Sequence, residues 1–176
     1  MKMNQTGLIY NWYAIRVKSR AEKKVNAELI EQGIESFLPL YKKLRIWSDR
    51  KKWVEMPLIS GYVFVYISRK EYEIVLRTYN VVCYVYYNGK AAIIRENDIL
   101  MLKRMLGQSE MELEVTLESL KPGQMVEIIS GPLCGVIGEL IDFRGKNKVA
   151  LRIPPLGYTV MVEAPDKMLV PYTSEA

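Results

Sequence analysis

The chain has no histidine, and this removes at once the usual general base and the commonest zinc ligand. Ser-His-Asp triads, Cys-His dyads and most catalytic metal sites are thereby excluded. Cysteine is nearly as scarce: Cys83 and Cys134 have no metal-ligand spacing and read as reduced packing residues. No apolar run approaches the roughly 18 residues that a membrane span needs. The N-terminal MKMNQTGLIYNWY lacks the apolar core and the small-residue cleavage site of a signal peptide. A cytoplasmic protein without membrane contact is therefore expected. Walker loops, dinucleotide fingerprints and acid pairs flanked by turn glycines are missing too. The carboxylates lie mostly beside lysines in helix-like segments, so enzymatic chemistry ranks well behind binding, and no cofactor or metal is expected.

What the chain does have is a globular composition, 49% hydrophobic and 26% charged, over 176 residues. That is enough for one ordinary domain or two small ones. Its charge is uneven. Residues 1–107 carry 19 Lys and Arg against 10 Asp and Glu; residues 108–119 carry four glutamates and no base; residues 120–176 carry six of each sign. The pattern reads as a basic first domain (1–107), an acidic linker (108–119) and a neutral second domain (120–176). A polyanion would meet the first.

In the first domain Asn11 to Val17 read as a strand, and Ser19 with Glu22 gives a capping box that opens a helix ending at Gly33. Within it Ala21, Val25, Leu29 and Ile30 form an apolar stripe to set on a sheet. A long hairpin is expected from Phe37 to Leu58, turning at Ser48-Asp49-Arg50. Gly61 introduces YVFVYI as a buried strand, and Ser68 with Glu71 supplies a second capping box before a helix over Tyr72 to Tyr79. VVCYVYY, the Asn88-Gly89 turn and KAAII predict another hairpin. A last helix runs from about Glu96 to Leu106. The order is β-α-β-β-β-α-β-β-α, an α+β sandwich of helices against an antiparallel sheet.

Residues 121–163 read KPGQMVEIISGPLCGVIGELIDFRGKNKVALRIPPLGYTVMVE. Lys121-Pro122-Gly123 make a turn, Met125 to Ile129 alternate as a strand, and Gly131, Gly135 and Gly138 follow at short intervals. Glycine suits sharp reversals between bent strands, where a side chain would clash. In outline this is a KOW motif, which builds small SH3-like β-barrels. Pro154-Pro155 oppose a helix there, so strands rather than a helical hairpin are expected.

Trp12-Tyr13 in a first strand, a capped helix, a basic hairpin, the segment Leu58 to Tyr66 and then a linker to a KOW segment resemble the NusG family of transcription elongation factors. Ser60 and the long Lys/Arg-rich hairpin look more like its specialised paralogues of the RfaH or UpxY kind than the housekeeping factor. The resemblance implies an NGN-type first domain that docks on the clamp helices of RNA polymerase, suppressing pausing or termination. The matching positions are Trp12, Ile59, Tyr62, Phe64 and Tyr87, with Ile59 and Tyr62 straddling Gly61 at the rim. A second polymerase contact would fall on Arg77 and Thr78. The KOW domain would recruit ribosomal protein S10 or the Rho factor, and a monomer is expected. The alternative is an RNA- or ribosome-binding KOW protein without polymerase contact.

Two basic clusters stand out on the residues themselves: Arg16, Lys18, Arg20, Lys23 and Lys24 at the first helix start, and Lys42, Lys43, Arg45, Arg50, Lys51 and Lys52 on the hairpin. Free backbone N–H groups at a helix start favour phosphate, and Trp47 and Trp53 bracket the hairpin turn as stacking platforms. Lys18, Arg20, Lys23, Lys24, Arg50 and Lys51 are the nucleic-acid candidates. By resemblance the ligand is the non-template DNA strand. Glu28 and Glu31 replace a His and an Arg of RfaH, so any sequence readout differs.

Overall fold

The computed structural model describes residues 2–3, 8–46, 51–107, 113–117 and 123–173. They divide into two compact units, Met1–Glu96 and Asn97–Ala176. The first contains, in order, β1 (Lys2–Met3), β2 (Ile9–Val17), α1 (Glu22–Glu31), β3 (Glu35–Phe37), β4 (Leu40–Ile46), β5 (Lys51–Pro57), β6 (Tyr62–Ile67), α2 (Tyr72–Arg77), β7 (Val81–Tyr84), β8 (Tyr86–Tyr87), β9 (Lys90–Ala91) and β10 (Ile93–Ile94). Strand β2 is the hub, pairing antiparallel with β1, β6, β7 and β10, while β3 joins the far edge of β6.

Side chains alternate between the faces of a strand, so β2 and β6 divide their apolar residues between two layers. Ile15, Val17, Val63, Val65 and Ile67 point one way and form a single core with Val25 and Leu29 of α1, Val75 of α2 and Tyr84. The amphipathic stripe expected of α1 holds at Val25 and Leu29 but not at Ile30, which is 55% exposed. Alternation sends Trp12, Ala14, Phe64 and Tyr66 to the opposite face, in register as Trp12 with Tyr66 and Ala14 with Phe64.

Two capping expectations part ways. Ser68 and Glu71 do bond, the Glu71 carboxylate accepting the Ser68 amide at 2.8 Å and its hydroxyl at 2.7 Å. Ser19 and Glu22 do not form a box: the residue before α1 is Ala21, without a side-chain cap. Glu22 is buried and accepts instead the amide of Gly61 at 2.8 Å. A main-chain donor 39 residues away in sequence outcompetes the local one because burial would leave both groups unpaired otherwise. The expected strand from Phe37 is interrupted before β4, and among the described residues the ribbon β4–β5 pairs only with itself, from Leu40 opposite Pro57 to Ile46 opposite Lys51. Its turn lies outside the described residues. The run after Asn80 is likewise shorter and more broken than one hairpin, with β8 and β9 paired across Asn88-Gly89.

The second unit takes α3 (Glu96–Leu106) from Asn97 onward. Sequence charge sets that helix in the first domain, whereas its contacts group it with the strands that follow. Arg104 donates to the Gly135 carbonyl at 2.6 Å, and the Ile137 amide donates to Met101 Sδ at 3.4 Å. Six antiparallel strands then form one sheet: β11 (Leu113–Thr116), β12 (Gln124–Ile128), β13 (Ile137–Phe143), β14 (Lys146–Ile153), β15 (Tyr158–Glu163) and β16 (Leu169–Pro171), ordered β11-β15-β14-β13-β12-β16. Strand β11 comes from within the acidic stretch expected to be a linker, and pairs with β15 from Leu113 opposite Val162 to Thr116 opposite Thr159. Pro154 and Pro155 stand in a single 3-10 turn between β14 and β15. Glycine is required where strands nearly touch: a Cβ on Gly123 would lie 1.8 Å from the Leu140 carbonyl oxygen.

Candidate functional site

The sheet face opposite the helical core is aromatic. Trp12 and Tyr66 have ring centroids 5.3 Å apart, Tyr10 and Tyr66 5.6 Å, and Phe37 and Phe64 6.1 Å. A groove of about 240 Å³ opens along it, lined by Tyr10, Trp12, Tyr66 and residues Ile93 to Glu96. Such rings offer large contact area at small rotamer cost. Of the expected docking residues, Trp12, Phe64 and Ile59 are buried, Tyr62 is half-buried, and Tyr87 on β8 is exposed. Ile59 was expected at the rim, yet it is only 1% exposed; Tyr62, on the other side of Gly61, keeps its exposure. Gly61 has a φ of +82°, its amide bonds to Glu22 and its carbonyl accepts the Val17 amide at 2.9 Å. The start of β6 is thus fixed to both β2 and α1, and with it the place of Tyr62. Tyr10 and Tyr66 belong to the same face and were not singled out from sequence, although their period-two spacing from Trp12 and Phe64 marks them.

The basic candidates separate. Lys18 and Lys24, on different elements, converge on the ring of Tyr79, their ammonium groups 5.8 and 5.5 Å from its centroid. Arg20, exposed and in the left-handed region at φ +65°, lies in the turn between them. Lys23 turns away to the ribbon, 3.9 Å from Glu55. Lys51 is exposed on β5, and Arg50 lies outside the described residues. Glu22 places a carboxylate in the first turn of α1, next to the amides that the sequence reading offers to phosphate. Arg77 is exposed at the end of α2, while Thr78 is buried, its hydroxyl donating to Gln32 Oε1 at 3.0 Å. Thr78 therefore ties the end of α2 to the end of α1. Tyr79 is the residue that sequence reasoning missed; it lies in a turn, where no periodicity points to it.

On the helical side a pocket of about 750 Å³ is lined by Tyr13, Arg69, Tyr72, Glu73, Lys90, Ala91 and Ile93. Beside it Tyr72 and Tyr84 stack at 3.9 Å, and the Tyr84 hydroxyl donates to the Tyr72 carbonyl at 3.0 Å. Burial, reinforced by neighbouring tyrosines and Glu73, pushes both phenols well above their ordinary range. They are held neutral, which is the opposite of what a general base or nucleophile needs. Among the described residues no three His, Cys, Asp or Glu side chains gather as a metal site, and no helix is long and apolar enough to cross a membrane.

The NusG family model, described as transcription termination factor nusG, matches residues 10–103, which contain the aromatic face, the ribbon and the Tyr79 patch. The chain belongs to the NusG family. Members of this NusG family are transcription factors rather than enzymes, and the chain accordingly has a role in transcription elongation. Among solved structures, one described as domain interaction in Thermotoga maritima NusG is 24% identical, with a TM-score of 0.49, covering 94% of this chain and 98% of that one. A second, of the MjSpt4:Spt5 complex, is 16% identical with a TM-score of 0.29 and covers 93% of this chain and 99% of that one. No curated protein gives a significant match.

Proposed function

We propose that this NusG-family chain is an operon-specific elongation and antitermination regulator that docks on the clamp helices of RNA polymerase. The observation that carries this reading is the aromatic sheet face with its groove, a preformed and mostly apolar site. Tyr62 and Tyr87, which keep exposed surface, make the direct contact, while Trp12, Phe64 and Ile59 are buried and support the site rather than touch the partner. Arg77 reaches a second polymerase element, with Thr78 holding the helix end that presents it. Contacts on both sides would keep the polymerase clamp closed and so suppress pausing. Lys18, Arg20 and Lys24 meet the non-template DNA strand, and Arg50 and Lys51 are further candidates for it. Residues 120–176, within the second unit, form a KOW-type barrel that recruits a further partner, ribosomal protein S10 or Rho.

Retention of core RNA polymerase on the immobilised chain tests the reading. Wild type should retain it, and Tyr62→Ala with Tyr87→Ala should weaken retention at least about tenfold, as expected for loss of two aromatic anchors, without lowering the thermal midpoint. Substituting Ile59 is uninformative here because it is buried. If wild type retains ribosomes or RNA but no polymerase, the chain is an RNA- or ribosome-binding KOW protein instead.

A further inference from the structure

We propose that Tyr79 is a stacking platform for one unpaired nucleobase, with Lys18 and Lys24 holding the phosphates beside it. The inference rests on the reading that the basic surface of the first unit meets nucleic acid, and it assigns the residue and the mode of contact.

Tyr79 is 64% exposed, so its ring is not part of the core. It is nevertheless held in place. Its amide donates to Glu28 Oε1 at 3.3 Å, the preceding Thr78 is bonded to Gln32 at 3.0 Å, and the carbonyl of the following Asn80 accepts the Lys18 amide at 3.0 Å. Asn80 itself adopts φ +69°, a conformation that turns the chain sharply between α2 and β7. An exposed aromatic whose own amide and whose two chain neighbours are all hydrogen-bonded is pre-organised, so little freedom is lost when a flat partner covers it.

The surrounding charge points to the class of partner. Two ammonium groups within 6 Å of one ring centroid each gain a cation–π attraction but repel one another. The acid closest in the network, Glu28, is engaged with the Tyr79 amide. A ligand with negative charge flanking a π-face relieves the repulsion and uses the ring at the same time. Single-stranded nucleic acid has that chemistry, whereas in a duplex the base faces are already stacked on each other. Lys18 comes from the end of β2, Lys24 from the first turn of α1 and Tyr79 from the turn after α2, so the fold assembles a site that no one segment carries.

Fluorescence anisotropy of a short labelled oligo(dT) with the full chain tests this, alongside an abasic oligomer of equal length, the corresponding duplex and oligo(U). Tyr79→Ala should weaken oligo(dT) binding roughly tenfold with an unchanged salt slope, since stacking releases no counterions. Tyr79→Phe should bind within about twofold of wild type and controls for folding. On the abasic oligomer Tyr79→Ala and wild type should bind alike. Lys18→Gln with Lys24→Gln should flatten the slope by about 1.4 for a single strand. Oligo(U) binding equal to oligo(dT) would show that the site reads the base face and not the sugar, in keeping with the proposal. If Tyr79→Ala binds oligo(dT) as wild type does while the double lysine variant is weakened, stacking is overturned and the nucleic-acid reading stands. If wild type binds no oligomer at low salt, both fall.

Discussion

Tyr84 in the first unit and Lys148 in the second are both nearly inaccessible, at 1% and 5% exposure, and each carries a polar tip that must be satisfied. Tyr84 stays neutral, stacks on Tyr72 and donates a hydrogen bond to a backbone carbonyl twelve residues away. Lys148 stays close to the ring of Phe143 and pairs with Glu114, which belongs to β11. The first solution is assembled within a stretch whose periodicity announces it. The second needs a carboxylate from the segment that composition alone marks as a linker. Neutral aromatic packing thus dominates one unit, while charge pairs such as Arg152 with Glu139 at 2.9 Å, together with backbone contacts that exclude a Cβ, recur in the other.

The sharpest break in this comparison is Gly123→Ala. The added carbon would stand 1.8 Å from the Leu140 oxygen, a main-chain atom that cannot swing aside. The second unit should lose more than about 3 kcal/mol, the scale of severe steric mutations. Trp12, Trp47 and Trp53 all lie in residues 1–96, so tryptophan fluorescence follows the first unit alone. The expected result is an unchanged fluorescence transition in denaturant beside a destabilised sheet seen by NMR of residues 123–171. Equal shifts in both signals would mean that the two units unfold as one.

Glu114→Ala comes next. It leaves a buried ammonium with its ion-pair partner gone, which costs about 2 kcal/mol once the partial exposure of Glu114 is allowed for. Lys148→Met in the same background should recover most of that loss, because no buried charge then remains. Thermal midpoints of wild type and the two variants check this. A Glu114→Ala protein as stable as wild type would return residues 113–116 to the role of a plain linker.

The same contrast explains what could be seen in the sequence. The two-faced strands β2 and β6, the bounds of α3 and the Asn88-Gly89 hairpin follow from period, caps and turn residues, which are local. The strand positions of Trp12, Tyr62 and Phe64 follow for the same reason. Ile59 was placed at the rim because a glycine follows closely, yet its burial depends on packing that no window of sequence contains. Glu22 has the spacing of a cap but is drawn off by Gly61, and β11 pairs with a strand more than forty residues later. The Tyr79 patch was invisible because its three side chains come from three separate segments of the chain. Long-range competition for hydrogen bonds and charge, not propensity, decides these positions.

The smallest effect, and the one that bears most directly on the comparison, is the pH dependence of Tyr84→Phe. The folded state raises the Tyr84 pKa, first by burial and then through Tyr72, Tyr13 and nearby glutamates. A raised value means that stability is fully present below the unfolded value of about 10 and is lost as pH rises above it. There the unfolded chain releases a proton that the folded chain retains, a loss of about 1.4 kcal/mol at one pH unit above the unfolded value. Removing the hydroxyl forfeits a hydrogen bond worth about 1 kcal/mol. At pH 8 Tyr84→Phe should therefore melt below wild type, with the gap closing near pH 11 as ionisation of unfolded wild type offsets the lost bond. Lysines also titrate in this range, but they are common to both proteins and cancel in the difference. Melting curves that stay parallel from pH 8 to 11 would show that Tyr84 ionises as freely in the fold as outside it, and the neutral, aromatic character assigned to the first unit would then fail at its centre.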